Sequence, residues 1–371
     1  MAARTPEYTI IDQAGDLRPL LDAMKRVTEV FLDTEADNMY HYRTRMCLMQ
    51  IMVERKIFLV DVLSPHLKLD EFWERLKPMH LVMHGSDFDL RLLHAICGFR
   101  AKSLFDTMLA AQLLNRKRIG LAALLGDHFG VELDKDGQKA NWSKRPLPKK
   151  LLDYASLDVF HLPDLRDILK KDLNRLGRLD WLEQQCRAQI ASGAEGFAPA
   201  EENDWRIGQC ERLHGPGLSV LYSLWHWREE QARRFDTPPF KVCSNDFIMR
   251  LAFDAEEGRS EEEILSIVQL GKRHSRLIDS LAVALHAGMM RDPKTLPRRH
   301  HQRHSPLTAE ELARQDALKH QRDSMARKLD LDPTLIANRA QLAQIAREPH
   351  KIDEFMLPWQ AALLRPELQV H

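Results

Sequence analysis

Four short apolar segments in the first half of the chain constrain its fold most strongly. They span residues 27–32, 47–53, 57–62 and 79–83, and each has the length of a β-strand and is apolar on both faces. Strands of this kind lie in sheets that helices cover on both sides. The amphipathic stretches that supply such helices are 67–76, 90–96, 107–114, 121–129 and 149–169. The pattern predicts an α/β sheet of mixed direction, with hairpins at one end because the first three segments are closely spaced.

The second half of the chain predicts helices alone, in two copies of one unit. Residues 187–204 lose the apolar period and gather Gly, Ala, Pro and acids, which is typical of a linker. Beyond them, 218–235 and 265–290 carry apolar residues at helical spacing. A shift of 94 positions places 228–252 on 322–346 without a gap, with six identities in register. Between the copies, 291–304 is rich in Pro, Arg and His, and a solvated basic linker is favoured over a histidine metal site.

Composition excludes several classes of protein. Lys plus Arg and Asp plus Glu both number 54, and 44% apolar with 29% charged residues is typical of a globular chain. Zero formal charge argues against histone-like binding of nucleic acid but leaves a locally basic groove open. The five scattered cysteines never form CxxC, which favours reduced thiols in a cytoplasmic protein. Without an apolar run of eighteen residues or an apolar export stretch at the start, neither a membrane span nor a secretion signal is expected.

An acid pair ends the first apolar segment. Asp33 and Glu35 are two residues apart on a predicted strand, so their side chains point to the same side. Two carboxylates on one face repel each other unless a cation lies between them. Taken alone, the pair is better explained as surface acids in a turn at the end of a strand.

Two later segments carry further oxygen groups. HGSDFDLRLL follows the fourth apolar segment and opens a helix, and an acid such as Asp87 or Asp89 at such a position is usually a helix cap. The functional alternative places Asp89, directly after an aromatic residue, at the sheet edge near Asp33. LDYASLDV lies in the strongest predicted helix and places Tyr154 and Asp158 four residues apart on one face. A hydroxyl and a carboxylate so placed can hold a water between them, and a helix-surface Tyr and Asp is the alternative.

The order and separation of these groups resemble the DEDD exonucleases, in the subclass with tyrosine. DTEAD with RMCLMQI, then HGSDFDLRLL, LFDTMLAAQLL, NWSKRPLP and LDYASLDVFHL are similar to segments of the bacterial ribonuclease D family, over residues 5–180. Residues 205–208 and 218–252, with WREEQARRFDTPPF, resemble the helicase-and-RNase-D C-terminal (HRDC) module, and the shifted copy resembles a second one. The implied fold is an α/β exonuclease domain with a ribonuclease H-like mixed sheet, followed by all-α HRDC-like domains.

The resemblance also implies domain bounds. The 3′–5′ exonuclease domain is expected at 1–186, a linker at 187–204, an HRDC domain at 205–292, a basic linker at 293–304 and a second HRDC-like domain at 305–371.

The family's roles transfer onto five residues of this sequence. Asp33, Glu35, Asp89 and Asp158 resemble ligands of two divalent cations, Mg²⁺ or Mn²⁺, and Tyr154 resembles the residue that orients the attacking water. Hard cations prefer oxygen donors, and two of them can stabilise the attacking and the leaving oxygen of a phosphodiester. By hypothesis Asp33 bridges both ions, Glu35 and Asp158 hold the ion that carries water, and Asp89 serves the other.

Other acids near these motifs are given no catalytic role. Asp37, Asp87 and Asp153 are excluded by the alignment with the family, and the Phe-Asp pairing selects Asp89 over Asp87. Asp106 is expected to be structural, as a helix cap.

The activity that the resemblance implies is a metal-dependent 3′–5′ exoribonuclease that releases 5′-mononucleotides, in tRNA 3′ maturation. The expected partner is RNA with a free 3′ end, such as a tRNA precursor, bound by a monomeric cytoplasmic protein without a membrane contact. No nucleoside triphosphate is expected, because the chain has no GxxxxGK[ST] loop. Two alternatives stay open, a DNA 3′–5′ exonuclease in repair and a catalytically silent scaffold that binds nucleic acid.

Two basic clusters with an interleaved aromatic residue are predicted to bind the single strand, by phosphate pairing and base stacking. Solvated surface charge, with the tryptophan in the core, is an equally good interpretation of each residue. The candidates are Arg116, Lys117, Arg118, Lys139, Trp142, Lys144, Arg145, Lys149 and Lys150.

Overall fold

The structure is a computed structural model that describes residues 6–132, 136–268, 275–298 and 305–368. Its residues group into two compact units. Of the described residues, the sheet unit comprises 6–36, 46–132, 136–197 and 305–368, and the helical unit comprises 37–45, 198–268 and 275–298.

A mixed β-sheet forms the centre of the sheet unit. Its strands among the described residues are β1 (Tyr8–Ile11), β2 (Glu29–Ala36), β3 (Met46–Val53), β4 (Lys56–Val60), β5 (His80–Met83) and β6 (Ser103–Asp106). Their order is β1-β4-β3-β2-β5-β6, with β2, β3 and β4 antiparallel and the other three pairings parallel. The predicted mixed direction is therefore confirmed. The hairpins do not end the sheet, however, because β1, which was not predicted, pairs with the outer edge of β4.

Strand β3 is buried along its whole length, which explains its continuous apolar sequence. Its alternate residues Leu48 and Met52 pack into one cluster with Trp142 and Val159. Met49 and Ile51 point to the opposite face and join the larger core of the unit. The sheet is thus covered by side chains on both faces at its centre.

Helices surround this sheet. They are α1 (Leu17–Met24), α2 (Asp70–Leu76), α3 (Asp87–Cys97), α4 (Thr107–Leu113), α5 (Leu121–Phe129), α6 (Lys149–Phe160), α7 (Leu162–Arg175) and α8 (Leu179–Gly193). The stretch 149–169, predicted as one helix, is divided at His161 because Pro163 lies in the first turn of α7 and has no N–H to continue α6. Helix α8 runs to Gly193, so the irregular segment begins after that residue rather than at 187.

The helical unit contains α9 (Gly215–Arg234), α10 (Pro239–Val242), α11 (Asn245–Glu256), α12 (Glu261–Ser266) and α13 (Ile278–Met289). Its core includes Trp205, Leu221, Leu224 and Ile248, all fully buried. The predicted helical stretch 265–290 corresponds to the end of α12 and to α13, and its residues 269–274 lie outside the described part of the chain.

The C-terminal residues repeat the helical pattern. They form α14 (Ala309–Leu329), α15 (Pro333–Ile336), α16 (Arg339–Arg347), α17 (Ile352–Phe355) and α18 (Pro358–Leu368). The shift of 94 positions carries the bounds of α10 onto those of α15 and the starts of α9 and α11 onto those of α14 and α16. Asp236 and Asp330, which the shift superimposes, both have positive φ, 44° and 48°. The repeat predicted from the sequence is confirmed at the level of helices and backbone.

The second copy of the repeat packs inside the sheet unit. The indole rings of Trp181 and Trp359 stack with centroids 4.6 Å apart, and the Gln184 side chain accepts a hydrogen bond from the Trp359 backbone N–H at 2.9 Å. The Arg178 guanidinium donates to the backbone carbonyls of Leu113 and Leu329. The C-terminal helices therefore share a core with the sheet.

Two expectations concern other parts of the chain. Of the predicted basic linker 293–304, residues 299–304, including His300, His301 and His304, lie outside the described residues. Among the helices that the structure describes, none has the length and apolar character needed to cross a membrane.

Candidate active site

Asp33 and Glu35 lie near the carboxyl end of β2. Their register partners on β3 are Gln50 and Leu48, so both acids lie on one face of the sheet. The ladder shifts its register directly after Glu35, since Glu35 pairs with Leu48 but Ala36 pairs with Met46. The two acids therefore stand side by side where pairing of the strand becomes irregular.

Asp89 reaches the same edge from the neighbouring parallel strand. Because β5 runs parallel to β2, the carboxyl ends of both strands meet at one edge of the sheet. Helix α3 begins four residues after β5 ends, and Asp89 lies in its first turn with only 7% of its surface exposed. The Thr34 hydroxyl donates a hydrogen bond to the Asp89 carboxylate. This bond connects α3 to the strand that carries the acid pair.

Helix α6 supplies the remaining two groups from the face of the sheet. It packs against β2, β3 and β4, and its apolar side includes Ala155 and Val159. Tyr154 and Asp158 are one turn apart, and the tyrosine hydroxyl is hydrogen bonded to the carboxylate.

These elements bring three carboxylates into one cluster. Oxygen atoms of Asp33, Glu35 and Asp158 lie within 4.8 Å of one another. They line a cavity of about 470 Å³ that Tyr154 also borders. The other lining residues are Thr34, His84, Met108, Gly120, Leu121, Ala122, Ala123 and Gln138.

Burial raises the pKa values of all four acids, and repulsion from neighbouring carboxylates of the site adds to the effect at Asp33 and Glu35. The pKa values of Asp33 and Glu35 lie well above the ordinary range, first because of burial and then because of the neighbouring carboxylates. Burial raises the pKa of Asp158 to about 8 against the opposing hydrogen bond from Tyr154, and that of Asp89 to about 6 against the bond from Thr34. A divalent cation among these oxygens relieves the repulsion, and an all-oxygen donor set suits a hard cation. The residues present therefore fit a divalent metal.

Tyr154 is held as a neutral hydrogen-bond donor. Burial and the nearby carboxylates, Asp158 foremost, raise its pKa far above 10. Its ring lies over Gly137, where an added Cβ would meet ring carbons at 2.4 Å. The Trp142 indole N–H donates to the Gly137 carbonyl at 3.2 Å, which fixes this turn beneath the ring. The tyrosine can orient a ligand but is not a base at neutral pH.

The acids that were excluded from the site have other partners. Asp87 is exposed and pairs with Arg91, Asp153 accepts bonds from Tyr8 and Lys149, and Asp37 accepts from the backbone and guanidinium of Arg45. Asp106 caps α4 by accepting from the N–H groups of Met108 and Leu109. Its carboxylate also accepts from Gly85, Ser86 and Gln189, which confirms the structural role expected for Asp106.

The basic candidates divide into structural and surface residues. Trp142 is only 1% exposed and packs in the core, so its ring cannot stack on a base, and that prediction is wrong. Arg145 pairs bidentately with Asp61 and donates to the Cys47 carbonyl, which makes it structural. The exposed remainder includes Arg116 paired with Asp172, Arg118 with Asp127 and Lys149 with Asp153, together with Lys117, Lys139, Lys144 and Lys150.

Several residues of the site were not singled out from the sequence. Thr34 lies between the two predicted acids, and this position was the only signal for it in the sequence. Gln50 is the single polar residue in the apolar segment MCLMQIMV, a pattern that marks it for attention. Gly137 and His84 carry no comparable signal, because only the folded chain brings them beside the cluster.

Comparisons with known proteins agree with this geometry. The family model described as 3′–5′ exonuclease matches residues 8–174, and the model of the HRDC domain matches residues 217–276. A ribonuclease D of Gluconacetobacter diazotrophicus is 25% identical over 365 residues, which cover 98% of this chain and 92% of that protein.

Two solved structures resemble the whole chain in fold. A protein from Bifidobacterium adolescentis superimposes with a TM-score of 0.81 at 22% identity, covering 98% of this chain and 96% of that one. Escherichia coli RNase D does so with a TM-score of 0.70 at 22% identity, covering 99% and 100%. The chain is thus similar to ribonuclease D over nearly its whole length, with a 3′–5′ exonuclease domain followed by an HRDC domain.

Proposed function

We propose that this protein is a divalent-metal-dependent 3′–5′ exoribonuclease that releases 5′-mononucleotides from free RNA 3′ ends. The observation that carries the proposal is the cluster of Asp33, Glu35 and Asp158, with oxygen atoms within 4.8 Å of one another. Carboxylates at this spacing, here one buried and two half-buried, repel one another and are balanced by divalent cations. A shared set of oxygen ligands of this kind is typical of phosphodiester hydrolysis.

The proposal includes two ions, Mg²⁺ or Mn²⁺. Asp33 would contact both, Glu35 and Asp158 would hold one, and Asp89 would hold the other. In favour of this division, Asp89 is not one of the three acids whose oxygens lie within 4.8 Å of one another, it is held by Thr34, and its charge acts on Asp33. When bound, the ions supply Lewis acidity to the phosphate and to the attacking water.

Tyr154 would orient the attacking water through its hydroxyl. Its raised pKa keeps the proton on the hydroxyl oxygen, so Tyr154 acts as a neutral hydrogen-bonding group and does not take a proton from the water. Its hydrogen bond to Asp158 places the hydroxyl beside an acid that we assign to the metal. The tyrosine therefore acts by position and not as a general base.

RNA is the proposed substrate because the similar protein from G. diazotrophicus is named ribonuclease D. The proposal extends to tRNA 3′ ends, with tRNA precursors as the natural substrate, because the sequence motifs resemble those of the ribonuclease D family. A monomeric state, a cytoplasmic location and independence from nucleoside triphosphates remain predictions from the sequence.

One experiment tests the reaction and its two alternatives. Matched single-stranded RNA and DNA, each with a free or a blocked 3′ end, are incubated with the protein and Mg²⁺ or Mn²⁺, with EDTA as the control. Release of 5′-mononucleotides from the free RNA end alone is expected. Faster attack on DNA would favour the repair exonuclease, and no metal-dependent release from any substrate would favour the silent scaffold.

The matched variant for this assay is Asp33→Asn. It keeps the shape of the side chain but removes the negative charge that we assign to both ions. We expect turnover to fall by at least about three orders of magnitude, while the melting temperature without metal stays equal or rises because repulsion is relieved. A near-normal rate would contradict the assignment of Asp33.

The exposed lysines Lys117 and Lys144 are proposed to pair with the RNA backbone. Each phosphate contact releases counterions and contributes about 0.7 to the slope of log affinity against log salt for a single strand. Lys117→Ala and Lys144→Ala should each lower RNA affinity and make that slope shallower, as measured by fluorescence anisotropy with Asp33→Asn as the inactive background. Equal slopes for variant and parent would contradict these contacts.

A further inference from the structure

Gln50 is a buried polar side chain that packing does not explain. It is fully buried in the middle of β3, and neither its Nε2 nor its Oε1 has a hydrogen-bond partner among the described residues. All its neighbours on the strand are apolar. An amide without partners in such surroundings destabilises the fold, and such groups are rare in native proteins.

The register of the sheet places Gln50 beside the carboxylate cluster. Gln50 pairs with Asp33 of β2 on one side and with Leu59 of β4 on the other. Residues that pair across strands have their side chains on the same face, with Cβ atoms about 5 Å apart. Leu48 and Met52 lie two residues away on that face, and both pack in the apolar core beneath α6. Gln50 therefore lies beside Asp33 on the face of the sheet that is covered by the helix carrying Asp158.

The two groups complement each other chemically. Gln50 has two N–H donors without acceptors, and an ionised carboxylate offers about four lone-pair positions. The Asp33 carboxylate accepts a hydrogen bond from the backbone N–H of Thr34, which lowers its pKa. Its other lone-pair positions can bind metal ions and accept a further hydrogen bond. A neutral amide orients a carboxylate without cancelling the negative charge that attracts the ions.

We propose that Gln50 is a positioning residue of the metal site, and that its Nε2 donates a hydrogen bond to the Asp33 carboxylate when divalent ions are held there. This inference rests on the proposed function, because it takes Asp33 as a ligand. Carboxylates that bind metals are themselves fixed by hydrogen bonds, and loss of such a partner lowers metal affinity about 10–100-fold.

The test compares Mn²⁺ binding by the full-length wild type, Gln50→Met and the control Met52→Leu, using isothermal titration calorimetry. Met52 lies on the same face of the same strand, opposite Phe31 instead of an acid. We expect the Mn²⁺ dissociation constant to rise at least about tenfold in Gln50→Met and to stay within about twofold in Met52→Leu. The melting temperature of Gln50→Met without metal should equal or exceed that of the wild type, because the unpaired amide is removed.

An unchanged dissociation constant in Gln50→Met would overturn the inference and leave the proposed function standing. A wild type that binds no Mn²⁺ would overturn both. A crystal structure of the wild type with Mn²⁺ gives a second test that needs no variant. A distance of about 3 Å between Nε2 and an Asp33 oxygen supports the inference, and a distance beyond about 4 Å rejects it.

Discussion

At the scale of single residues, crowding of acids dominates the candidate site. Oxygen atoms of Asp33, Glu35 and Asp158 lie within 4.8 Å of one another, and desolvation raises the pKa values of all three. Without cations, the cluster relieves its repulsion by holding protons, which is the physical meaning of the raised pKa values. Metal and proton therefore compete for the same oxygens, so metal affinity should rise with pH.

This competition predicts how stability depends on pH in the metal-free protein. The folded-state pKa of Asp158 is about 8 and that of Asp89 about 6, both above the value near 4 of an unfolded chain. Between about pH 4 and 8 the folded state thus binds more protons than the unfolded state, and the free energy of unfolding falls as pH rises. Urea denaturation in EDTA at pH 5 and at pH 8 measures this decrease in the free energy of unfolding.

The control for this prediction is Asp158→Asn, which cannot ionise at that position. Its loss of stability between pH 5 and pH 8 should be clearly smaller than that of the wild type, and Mn²⁺ should reduce the loss in the wild type. Parallel pH profiles for the two proteins would be inconsistent with a raised Asp158 pKa.

Residue by residue, the sequence predicted the site where local geometry determines it. The spacing of Asp33 and Glu35 on a strand places both carboxylates on one face, whatever the rest of the chain does. The choice of Asp89 over Asp87 needed the family resemblance, and the structure adds the reason: Asp89 is buried against Thr34, while Asp87 pairs with Arg91. Trp142 was misjudged because neighbouring lysines do not reveal whether an aromatic ring is buried.

At the scale of elements, the position of α6 on the sheet determines where Tyr154 points. The turn at Gly137 lies directly beneath the tyrosine ring, and no side chain fits between them. Trp142 holds this turn through its bond to the Gly137 carbonyl. The segment before α6 is therefore part of the site although it carries no reacting group.

The close approach of Gly137 to the Tyr154 ring predicts that one methyl group added at Gly137 lowers activity. In Gly137→Ala the new Cβ would lie 2.4 Å from the Tyr154 ring, so the ring must move. We expect turnover to fall about 100-fold, close to the effect of Tyr154→Phe, while Mn²⁺ affinity changes little. Single-turnover kinetics with labelled RNA measures the rate.

The matched control is Gly15→Ala, where an added Cβ meets nothing within 4 Å. It should retain the rate of the wild type. Full activity in Gly137→Ala would show that the ring of Tyr154 tolerates displacement.

The sequence predicted the elements that carry a continuous apolar run or a helical period. The four-residue strand β5 was predicted from the apolar run 79–83, whereas β1 and β6, equally short, include polar residues and are defined by pairing with β4 and β5. The break between α6 and α7 had a signal in Pro163, which the continuing apolar pattern masked. The 94-residue repeat was found because it extends over several helices, and even the left-handed backbone at Asp236 and Asp330 is repeated.

At the scale of the whole molecule, the two copies of the repeat have different surroundings. The first copy lies in the helical unit, while the second shares a core with the sheet. The sequence similarity of the two copies does not reveal this difference, because the difference depends on tertiary contacts. Examples are the stacking of Trp181 on Trp359 and the hydrogen bond from Arg178 to the Leu329 carbonyl. We infer that the second copy stabilises the exonuclease fold.

Because the second copy shares a core with the sheet, we expect Trp359→Ala to destabilise the exonuclease domain, although Trp359 lies outside the sequence of that domain. Removal of a buried tryptophan costs about 3–5 kcal/mol, and Trp359 is 4% exposed. Exonuclease activity should be lost at a lower urea concentration than in the wild type. Trp205→Ala, which removes a fully buried ring from the helical unit, should leave that concentration unchanged.

The stacked indoles of Trp181 and Trp359 give the molecule an optical label of its own. Their planes are 14° from parallel with centroids 4.6 Å apart. We expect the electronic transitions of the two chromophores to couple and to give a paired positive and negative band in far-ultraviolet circular dichroism. That couplet reports undocking of the C-terminal helices without any dye. It can be followed during RNA turnover, and so reveals whether those helices stay in place while the enzyme works.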